Sequence, residues 1–165
     1  MSNNKIIFLD RDGILNIDTG YPCIWNDVTP NPKAINPLRI GIELGFNYII
    51  VSNQSGIGRG YFEMHDYKMF MADLYAWYKK HGIIFIDDFF CPHHYSSESK
   101  LLSYDCFCRK PKSGLIEQAI QKYGINRHKS FLIGDKGSDI VAAENAKLKS
   151  ATKVSSHITE VETFA

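Results

Sequence analysis

The stretch Ile6-Ile7-Phe8-Leu9-Asp10-Arg11-Asp12-Gly13 decides the fold class of this chain. Four consecutive apolar residues predict a strand over residues 6–9 that is buried on both faces, as strands of parallel sheets are. In an open α/β sheet, ligands bind beyond the carboxyl ends of the strands, so Asp10 and Asp12 are placed for chemistry. Taken alone, the same residues would also fit an ordinary acidic turn.

Short apolar runs recur along the chain and alternate with segments of helical periodicity. The further strand candidates are residues 48–51, 83–86 with 89–90 just beyond, 131–133, and a weaker one at 151–154. Asn36-Pro37 resembles an N-cap followed by proline at the first helical position, in a helix that Gly45 ends. The apolar stripes that begin at Tyr67 and Leu115 indicate core-facing helices. This alternation predicts an α/β fold, a Rossmann-like parallel sheet flanked by helices.

Length and composition favour one compact domain over residues 1–165. The chain has 165 residues, is 44% hydrophobic and carries a formal charge of +1. That charge offers no general attraction to nucleic acid or to an anionic membrane surface. No apolar run approaches the ~20 residues that span a bilayer, and Met1–Lys5 leads straight into the first strand, unlike a signal peptide. We therefore expect a cytoplasmic protein without nucleic-acid or membrane partners, and a monomer.

Polar and charged residues also follow the second and fourth predicted strands. Ser52-Asn53-Gln54-Ser55-Gly56 offers hydroxyl, amide and backbone N–H donors that suit phosphate oxygens. Gly134-Asp135 is followed by Asp139, so carboxylates from two strand ends would meet. Close carboxylates repel unless a cation or protons compensate, and hard oxygen ligands favour Mg²⁺. Lys110 is the obvious basic partner for an anionic substrate.

In this order, Asp10-x-Asp12-Gly13, Ser52, Lys110 and Gly134-Asp135-x-x-x-Asp139 resemble the four motifs of the haloacid dehalogenase superfamily of phosphotransferases. The resemblance implies that Asp10 is a nucleophile that forms an aspartyl-phosphate, and that Asp12 protonates the leaving alcohol and then activates water. It also implies that Ser52 and Lys110 hold the transferring phosphoryl group. The implied Mg²⁺ ligands are Asp10, the backbone carbonyl of Asp12, and Asp135, with Asp139 supporting them.

A second group of residues predicts a structural zinc site in a loop over about residues 91–108. Cys91-x-His93 and Cys106-x-Cys108 supply three thiolates and one imidazole, which complete a tetrahedral Zn²⁺ shell with no open position. Such an ion would rigidify a loop with little apolar content, and Lys110 lies just beyond it. We expect His94 to lie beside the metal ligands rather than among them, and Cys23 to be an ordinary thiol.

From Phe8 to about Lys153 the pattern is similar to the D-glycero-D-manno-heptose 1,7-bisphosphate phosphatases, and less closely to the histidinol-phosphate phosphatases. Both belong to a branch of the superfamily with little or no cap domain. Ser55 favours the heptose enzymes, because the histidinol-phosphate relatives usually have Asp there. A small sugar phosphate is thus the expected substrate. The residues implied to contact it are Asp18, Thr19, Gly20, Tyr21, Ser52, Asn53, Gln54, Ser55, Arg109, Lys110 and Lys136.

This chain departs from the usual family pattern at Ile14, and two other kinds of protein share part of its pattern. Ile14 stands where the family commonly has Thr, which removes a hydroxyl able to brace the nucleophile. A phospho-receiver signalling domain also combines strand-end acids, Lys and Mg²⁺, but its acidic pair and its phospho-acceptor lie on separate strands. A zinc-stabilised nucleic-acid module would need a basic helix or an aromatic-basic stripe, which this sequence lacks.

Overall fold

A computed structural model describes residues 4–155 of the chain. Five parallel strands form one sheet in the spatial order β3-β2-β1-β4-β5, the Rossmann-like order with the first strand in the centre. The strands are β1 (Ile6–Leu9), β2 (Asn47–Asn53), β3 (Phe85–Cys91), β4 (Phe131–Gly134) and β5 (Ser150–Lys153). The predicted fold class is confirmed.

Helices cover both faces of this sheet. They are α1 (Ile35–Glu43), α2 (Ser55–Gly58), α3 (Met64–Lys80), α4 (Gly114–Tyr123) and α5 (Gly137–Asn145), with short 3₁₀ turns at Trp25–Asp27, Pro32–Ala34 and Arg127–Lys129. Gly124 ends α4 in the left-handed conformation, as expected of a glycine just past a helix. Both predicted apolar stripes lie in helices, α3 and α4.

The hydrophobic core has two parts, one on each face of the sheet. Phe8 and Val51 point into the part that α4 and α5 cover, whereas Leu9 and Ile50 point into the part that α1 and α3 cover. Each large apolar side chain buried this way contributes about 1.5–3 kcal/mol relative to leaving it exposed. With both faces covered, the carboxyl edge of the sheet is where polar side chains from several strands can meet.

β3 begins two residues later than its apolar run predicts and includes two acidic residues. Asp87 accepts hydrogen bonds from Lys122 and Tyr123. Asp88 accepts hydrogen bonds from Tyr67 and Tyr75, at 2.9 Å and 2.7 Å. Because each carboxylate has partners from a neighbouring helix, the strand continues through them to Cys91.

The predicted N-cap at Asn36-Pro37 is wrong. The capping pair is Asn31-Pro32, where the Asn31 side chain accepts a hydrogen bond from Lys33 N and Pro32 opens a 3₁₀ turn that leads into α1. The Asn31 amide also donates to the Ile14 carbonyl at 2.8 Å. This contact with a distant segment decides between two Asn-Pro pairs that local sequence rules treat alike.

Within residues 4–155, no additional domain is inserted between the elements of the sheet, in line with the expected absence of a large cap. No helix in that range is long and apolar enough to cross a membrane. The domain extent of residues 1–165 stays a prediction.

Candidate active site

Three strands deliver the predicted catalytic residues to the same edge of the sheet. Asp10 follows β1, Ser52 lies near the end of β2, and Asp135 follows β4. β1 pairs with both neighbours, Leu9 lying opposite Ile50 on one side and Ile133 on the other. The adjacency of these strand ends is therefore a direct consequence of β1 being the central strand.

Lys110 lies in the loop that follows β3, and its side chain reaches Asp10 at this edge of the sheet. Its ammonium lies 2.9 Å from Asp10 Oδ1 and 2.6 Å from Asp139 Oδ1. A third contact, of 2.7 Å, goes to the backbone carbonyl of Val51. The ammonium thus donates hydrogen bonds to Asp10 and Val51 and forms an ion pair with Asp139. A buried cation with this many partners is held in one position.

Burial and neighbouring charges shift the pKa values of this pair. Burial raises the pKa of Asp10 to about 6; Lys110 works against that rise, while Asp139 and Asp12 add to it. Burial lowers the pKa of Lys110, but Asp10 and Asp139 outweigh it and hold the value above the ordinary one. Lys110 is therefore charged at neutral pH. Additional positive charge near Asp10 would favour the ionised form of the Asp10 carboxyl.

The Asp12 carboxylate is held by four N–H donors. Arg11 binds it bidentately, with Nε on Oδ1 and a terminal nitrogen on Oδ2, both at 3.0 Å. The side-chain amides of Asn16 and Gln54 each add a 3.0 Å hydrogen bond. Both carboxylate oxygens are thus occupied by donors of the protein, which leaves the backbone carbonyl as the part of Asp12 available to a metal.

The residues around Asp135 fit a divalent cation. Carboxylate oxygens of Asp10, Asp135 and Asp139 all lie within 4.8 Å of one another. Asp135 Oδ1 is buried with no hydrogen-bond partner, as a cation ligand would be in a metal-free structure. Asp139 is already engaged, by Lys110 and by the backbone N–H of Lys136 at 3.0 Å. Lys110 also contacts Asp10 Oδ1, so Asp135 Oδ1 is the oxygen best placed to bind Mg²⁺, with the Asp10 carboxylate beside it.

Gly13 keeps this cation site close to the chain after β1. Its φ is +87°, a region that L side chains rarely adopt, and a Cβ at this position would overlap the carboxylate of Asp135. Ile14, where the family commonly has Thr, is 6% exposed and packs with Leu9 and Leu15 in the core. Its side chain therefore contributes packing rather than a polar contact.

The residues predicted to contact substrate differ in how far the protein itself already binds their polar groups. Ser52 Oγ is buried beside the Tyr67 hydroxyl and forms no hydrogen bond of good geometry with the protein, so its hydroxyl can turn to donate to a phosphate oxygen. Asp18 pairs with Lys136 at 2.9 Å and accepts from the backbone N–H of Gly20. Thr19, Gly20 and Tyr21 are exposed beside this ion pair. Three others are engaged by the protein itself: Asn53 by Lys110, Gln54 by Asp12, and Arg109 by His93 O.

A cavity of about 340 Å³ lies behind the exposed loop that contains Thr19 and Tyr21. It is also lined by Cys23, Phe62 and Asp66, among others, and by none of the four predicted catalytic residues. The predicted catalytic residues therefore lie outside this cavity, at the strand ends.

The predicted zinc ligands converge at the end of β3. The ligand atoms of Cys91, His93, Cys106 and Cys108 all lie within 4.8 Å of one another. Cys106 Sγ is 3.3 Å from the sulfur of Cys91 and 3.3 Å from that of Cys108, so these cysteines are not disulfide-bonded. Hydrogen bonding with Cys91 lowers the pKa of Cys108 to about 5, against the effect of burial. Three sulfurs and an imidazole form the donor set of a closed zinc site.

Neighbouring residues hold these ligands in place. His93 directs Nδ1 to the sulfur of Cys108, at 3.2 Å, and Nε2 to the hydroxyl of Tyr104, at 2.9 Å. Such an outer hydrogen bond fixes the orientation of a metal-binding imidazole. His94 lies outside this group, as expected, and contacts Arg59 and Ser96 instead.

Arg11 and Asn16 belong to the site although no motif indicated them, and Gln54 binds Asp12 although it was predicted to contact substrate. Arg11 stands between the two motif aspartates, and its position in the sequence does not show that its side chain is buried. The one available signal was a basic residue within a motif that continues into the apolar residues Ile14 and Leu15. Asn16, four residues after Asp12, is 0% exposed. A polar residue beside Ile14 and Leu15 was the signal that a partner was needed.

Comparisons with known proteins agree with this arrangement. A family model described as HAD-hydrolase-like matches residues 107–162. The D-glycero-alpha-D-manno-heptose-1,7-bisphosphate 7-phosphatase of Photorhabdus laumondii is 43% identical over 152 residues, which cover 88% of this chain and 81% of the relative. The corresponding beta-anomer phosphatase of Helicobacter pylori is 39% identical, covering 90% and 83%. A histidine biosynthesis bifunctional protein from Buchnera aphidicola is 35% identical over only 40% of its own length.

Solved structures support the fold. A Mesorhizobium loti protein assigned as a HAD-like phosphatase superposes with a TM-score of 0.84 at 28% identity, covering 88% of this chain and 69% of that one. The D,D-heptose 1,7-bisphosphate phosphatase of B. bronchiseptica, solved with magnesium and phosphate, has a TM-score of 0.76 at 24% identity, covering 87% and 77%. The strand order, the four motifs at the sheet edge and the identity to curated relatives agree: this chain belongs to the D-glycero-D-manno-heptose-1,7-bisphosphate 7-phosphatase family of haloacid dehalogenase-like hydrolases.

Proposed function

We propose that this chain hydrolyses the C7 phosphate of D-glycero-D-manno-heptose 1,7-bisphosphate, in the cytoplasmic synthesis of nucleotide-activated heptose. The observation that carries the proposal is the identity of 43% and 39% to phosphatases for the two anomers of this sugar, over most of each chain. Histidinol phosphate is the alternative substrate, and the histidine-biosynthesis relative matches over a smaller part of its length.

Asp10 is the nucleophile in this mechanism. One of its carboxylate oxygens forms a bond to phosphorus while the bond from phosphorus to the C7 oxygen breaks, which leaves an aspartyl-phosphate and an alcohol. Lys110, 2.9 Å from Asp10 Oδ1, orients the attacking carboxylate and offsets negative charge. The hydroxyl of Ser52 donates to an oxygen of the transferring group. Mg²⁺ bound by Asp10, Asp135 and the backbone carbonyl of Asp12 would reduce the repulsion between carboxylate and phosphate.

Asp12 moves the protons. It gives a proton to the departing C7 oxygen, then takes one from the water that attacks the aspartyl-phosphate, which releases phosphate and restores Asp10. Its carboxylate accepts four hydrogen bonds, the arrangement suited to the base in the second step. To donate a proton in the first step, it must release at least one of these donors.

The zinc group has a structural role in this proposal. Zn²⁺ held by Cys91, His93, Cys106 and Cys108 leaves no open position for water. The backbone N–H of Arg109 contacts Cys106 Sγ at 3.3 Å, so the ligand cluster continues directly into Lys110. The protein acts as a monomer on a small sugar phosphate, without nucleic-acid or membrane partners.

The decisive test compares kcat/KM for both anomers of the heptose bisphosphate and for histidinol phosphate, with phosphate release measured in the presence of Mg²⁺. We expect either heptose anomer to exceed histidinol phosphate clearly. A preference for histidinol phosphate would overturn the choice of substrate and leave the reaction type in place.

Asp10→Asn tests the mechanism itself. The amide is a poor nucleophile, so turnover should fall to background for every substrate, and no acid-stable phosphoenzyme should form. Wild-type rates from a variant checked by mass spectrometry for deamidation would exclude covalent catalysis by Asp10.

A further inference from the structure

The side chain of Asn53, the last residue of β2, is bonded to the backbone of Lys110. Asn53 Nδ2 donates to the Lys110 carbonyl at 2.9 Å. Asn53 Oδ1 accepts from the Lys110 N–H at 3.0 Å. One amide group thus binds both polar backbone atoms of a single residue, as a neighbouring strand would.

We propose that Asn53 is a positioning residue for Lys110 and not a contact for the sugar. The inference rests on the proposed role of Lys110 in phosphoryl transfer. The family resemblance implied that Asn53 contacts substrate, as part of the stretch from Ser52 to Ser55. Its two bonds to Lys110 instead fix the orientation of the amide, and they join two segments that are far apart in the chain.

The position of Asn53 at the sheet edge explains why it can hold Lys110. On its β3 side, Asn53 pairs with Cys91, and the next backbone N–H, of Gln54, donates to the Cys91 carbonyl at 2.8 Å. The end of β2 is therefore attached through its backbone to the first zinc ligand. Through the Asn53 side chain it is attached to Lys110, two residues after the last of these ligands, Cys108.

The ammonium of Lys110 depends on this attachment. Its side chain is only 2% exposed and contacts Asp10, Asp139 and the Val51 carbonyl. Val51 belongs to β2, so the same strand holds both ends of Lys110: the ammonium through a carbonyl and the backbone through Asn53. If the Lys110 backbone moves, the ammonium cannot keep all three contacts, and misplacement by about 1 Å can cost about 10²-fold in rate.

The test uses two substitutions at position 53. Asn53→Ala removes both bonds. Asn53→Asp keeps the size and the acceptor for Lys110 N–H, but places an oxygen against the Lys110 carbonyl where a donor was. The matched control is Asn145→Asp, because the exposed Asn145 amide donates to the carbonyl of the adjacent Pro111 at 2.9 Å. The Asn145→Asp variant loses a side-chain hydrogen bond to a backbone carbonyl of the loop that contains Lys110, but it does so outside the candidate site.

Each variant is assayed with the heptose bisphosphate and with 4-nitrophenyl phosphate, which has no sugar to contact. We expect both Asn53 variants to lose about 10²-fold in kcat on both substrates, with KM for the sugar substrate nearly unchanged. Zinc content should match the wild type, and each variant should remain folded at the assay temperature. Amide exchange at Lys110 should be faster in Asn53→Ala, and Asn145→Asp should resemble the wild type in every measurement.

Two results would overturn the inference. A raised KM for the heptose substrate with normal hydrolysis of 4-nitrophenyl phosphate would make Asn53 a sugar contact. An equal loss of kcat in Asn145→Asp, or a loss that follows zinc release or unfolding, would make its role general stability. If the wild type hydrolyses neither substrate, the proposed function fails instead, while the exchange rate of the Lys110 amide still reports the Asn53 contact.

Discussion

At the scale of single residues, the least expected feature is a buried ion pair between sequence neighbours. Arg11 is 0% exposed, and its guanidinium binds the Asp12 carboxylate and the Pro22 carbonyl. Its planar face lies over the Phe70 ring, 4.6 Å from the centroid. Arginine suits this position because its planar guanidinium can bind a carboxylate bidentately while it stacks on an aromatic ring.

Arg11→Met should destabilise the protein by removing the cation while Asp12 stays buried. Breaking a buried ion pair costs about 3–5 kcal/mol, and we expect the lower end because Asn16 and Gln54 still donate to Asp12. The double variant Arg11→Met/Asp12→Asn leaves no lone charge and should recover part of the loss. Urea denaturation of the wild type, Arg11→Met, Asp12→Asn and the double variant measures the interaction energy between the two side chains. If the effects of the single substitutions simply add, the two side chains do not stabilise each other.

At the scale of elements, the segment between β3 and α4 connects the predicted zinc ligands to Lys110. Cys91 ends β3, Cys106 and Cys108 precede Lys110, and Lys112 donates to the Cys106 carbonyl at 2.9 Å. This segment has exposed apolar residues, such as Tyr95 at 81% and Leu101 at 85%, so burial alone does not hold its shape. A zinc ion bound by the four predicted ligands would supply the constraint that a hydrophobic core would otherwise provide.

Zinc removal should therefore reduce activity more than it reduces folding. After treatment with a zinc-selective chelator and return of Mg²⁺, we expect kcat to fall about 10²-fold because Arg109 and Lys110 lose their positions. Cys106→Ser should reproduce the loss, whereas Cys23→Ser should keep zinc and activity. Metal content, circular dichroism and phosphate release are measured on the same samples. Normal turnover by folded, zinc-free protein would contradict the role given to this loop.

At the scale of the whole molecule, the candidate site exists only when four distant segments meet. Asp10, Ser52 and Asp135 come from three strand ends, and Lys110 from a loop that no strand pairing includes. Ligands that bind here therefore bind the folded state alone. Such ligands stabilise a protein in proportion to the logarithm of their concentration over the dissociation constant.

Mg²⁺ with inorganic phosphate should raise the melting temperature in a concentration-dependent way. At one hundred times the dissociation constant the gain is about 2.7 kcal/mol. Asp135→Asn removes one charge from the cation site, so its melting temperature should respond much less to Mg²⁺. Thermal denaturation at several Mg²⁺ concentrations checks both expectations. An equal response from wild type and Asp135→Asn would place the cation elsewhere.

Much of this molecule follows from local patterns. The alternation of short apolar runs with segments of helical periodicity is enough to predict a parallel sheet flanked by helices, and β1 has the predicted bounds. Boundaries that depend on distant partners were less predictable. β3 extends through Asp87 and Asp88 because helix residues bond their carboxylates, and α1 follows Asn31-Pro32 because Asn31 reaches Ile14.

By itself, the sequence determined the fold class, the strand-end positions of Asp10, Ser52 and Asp135, and the convergence of three cysteines and a histidine, because residue type and periodicity encode them locally. Only the tertiary structure decided which side chains bind each other: Arg11 with Asp12, Asn53 with Lys110, and Asp18 with Lys136. The physical reason is that a hydrogen bond depends on positions within a few tenths of an ångström. Between distant segments, those positions are set by strand register and core packing, which no local pattern contains.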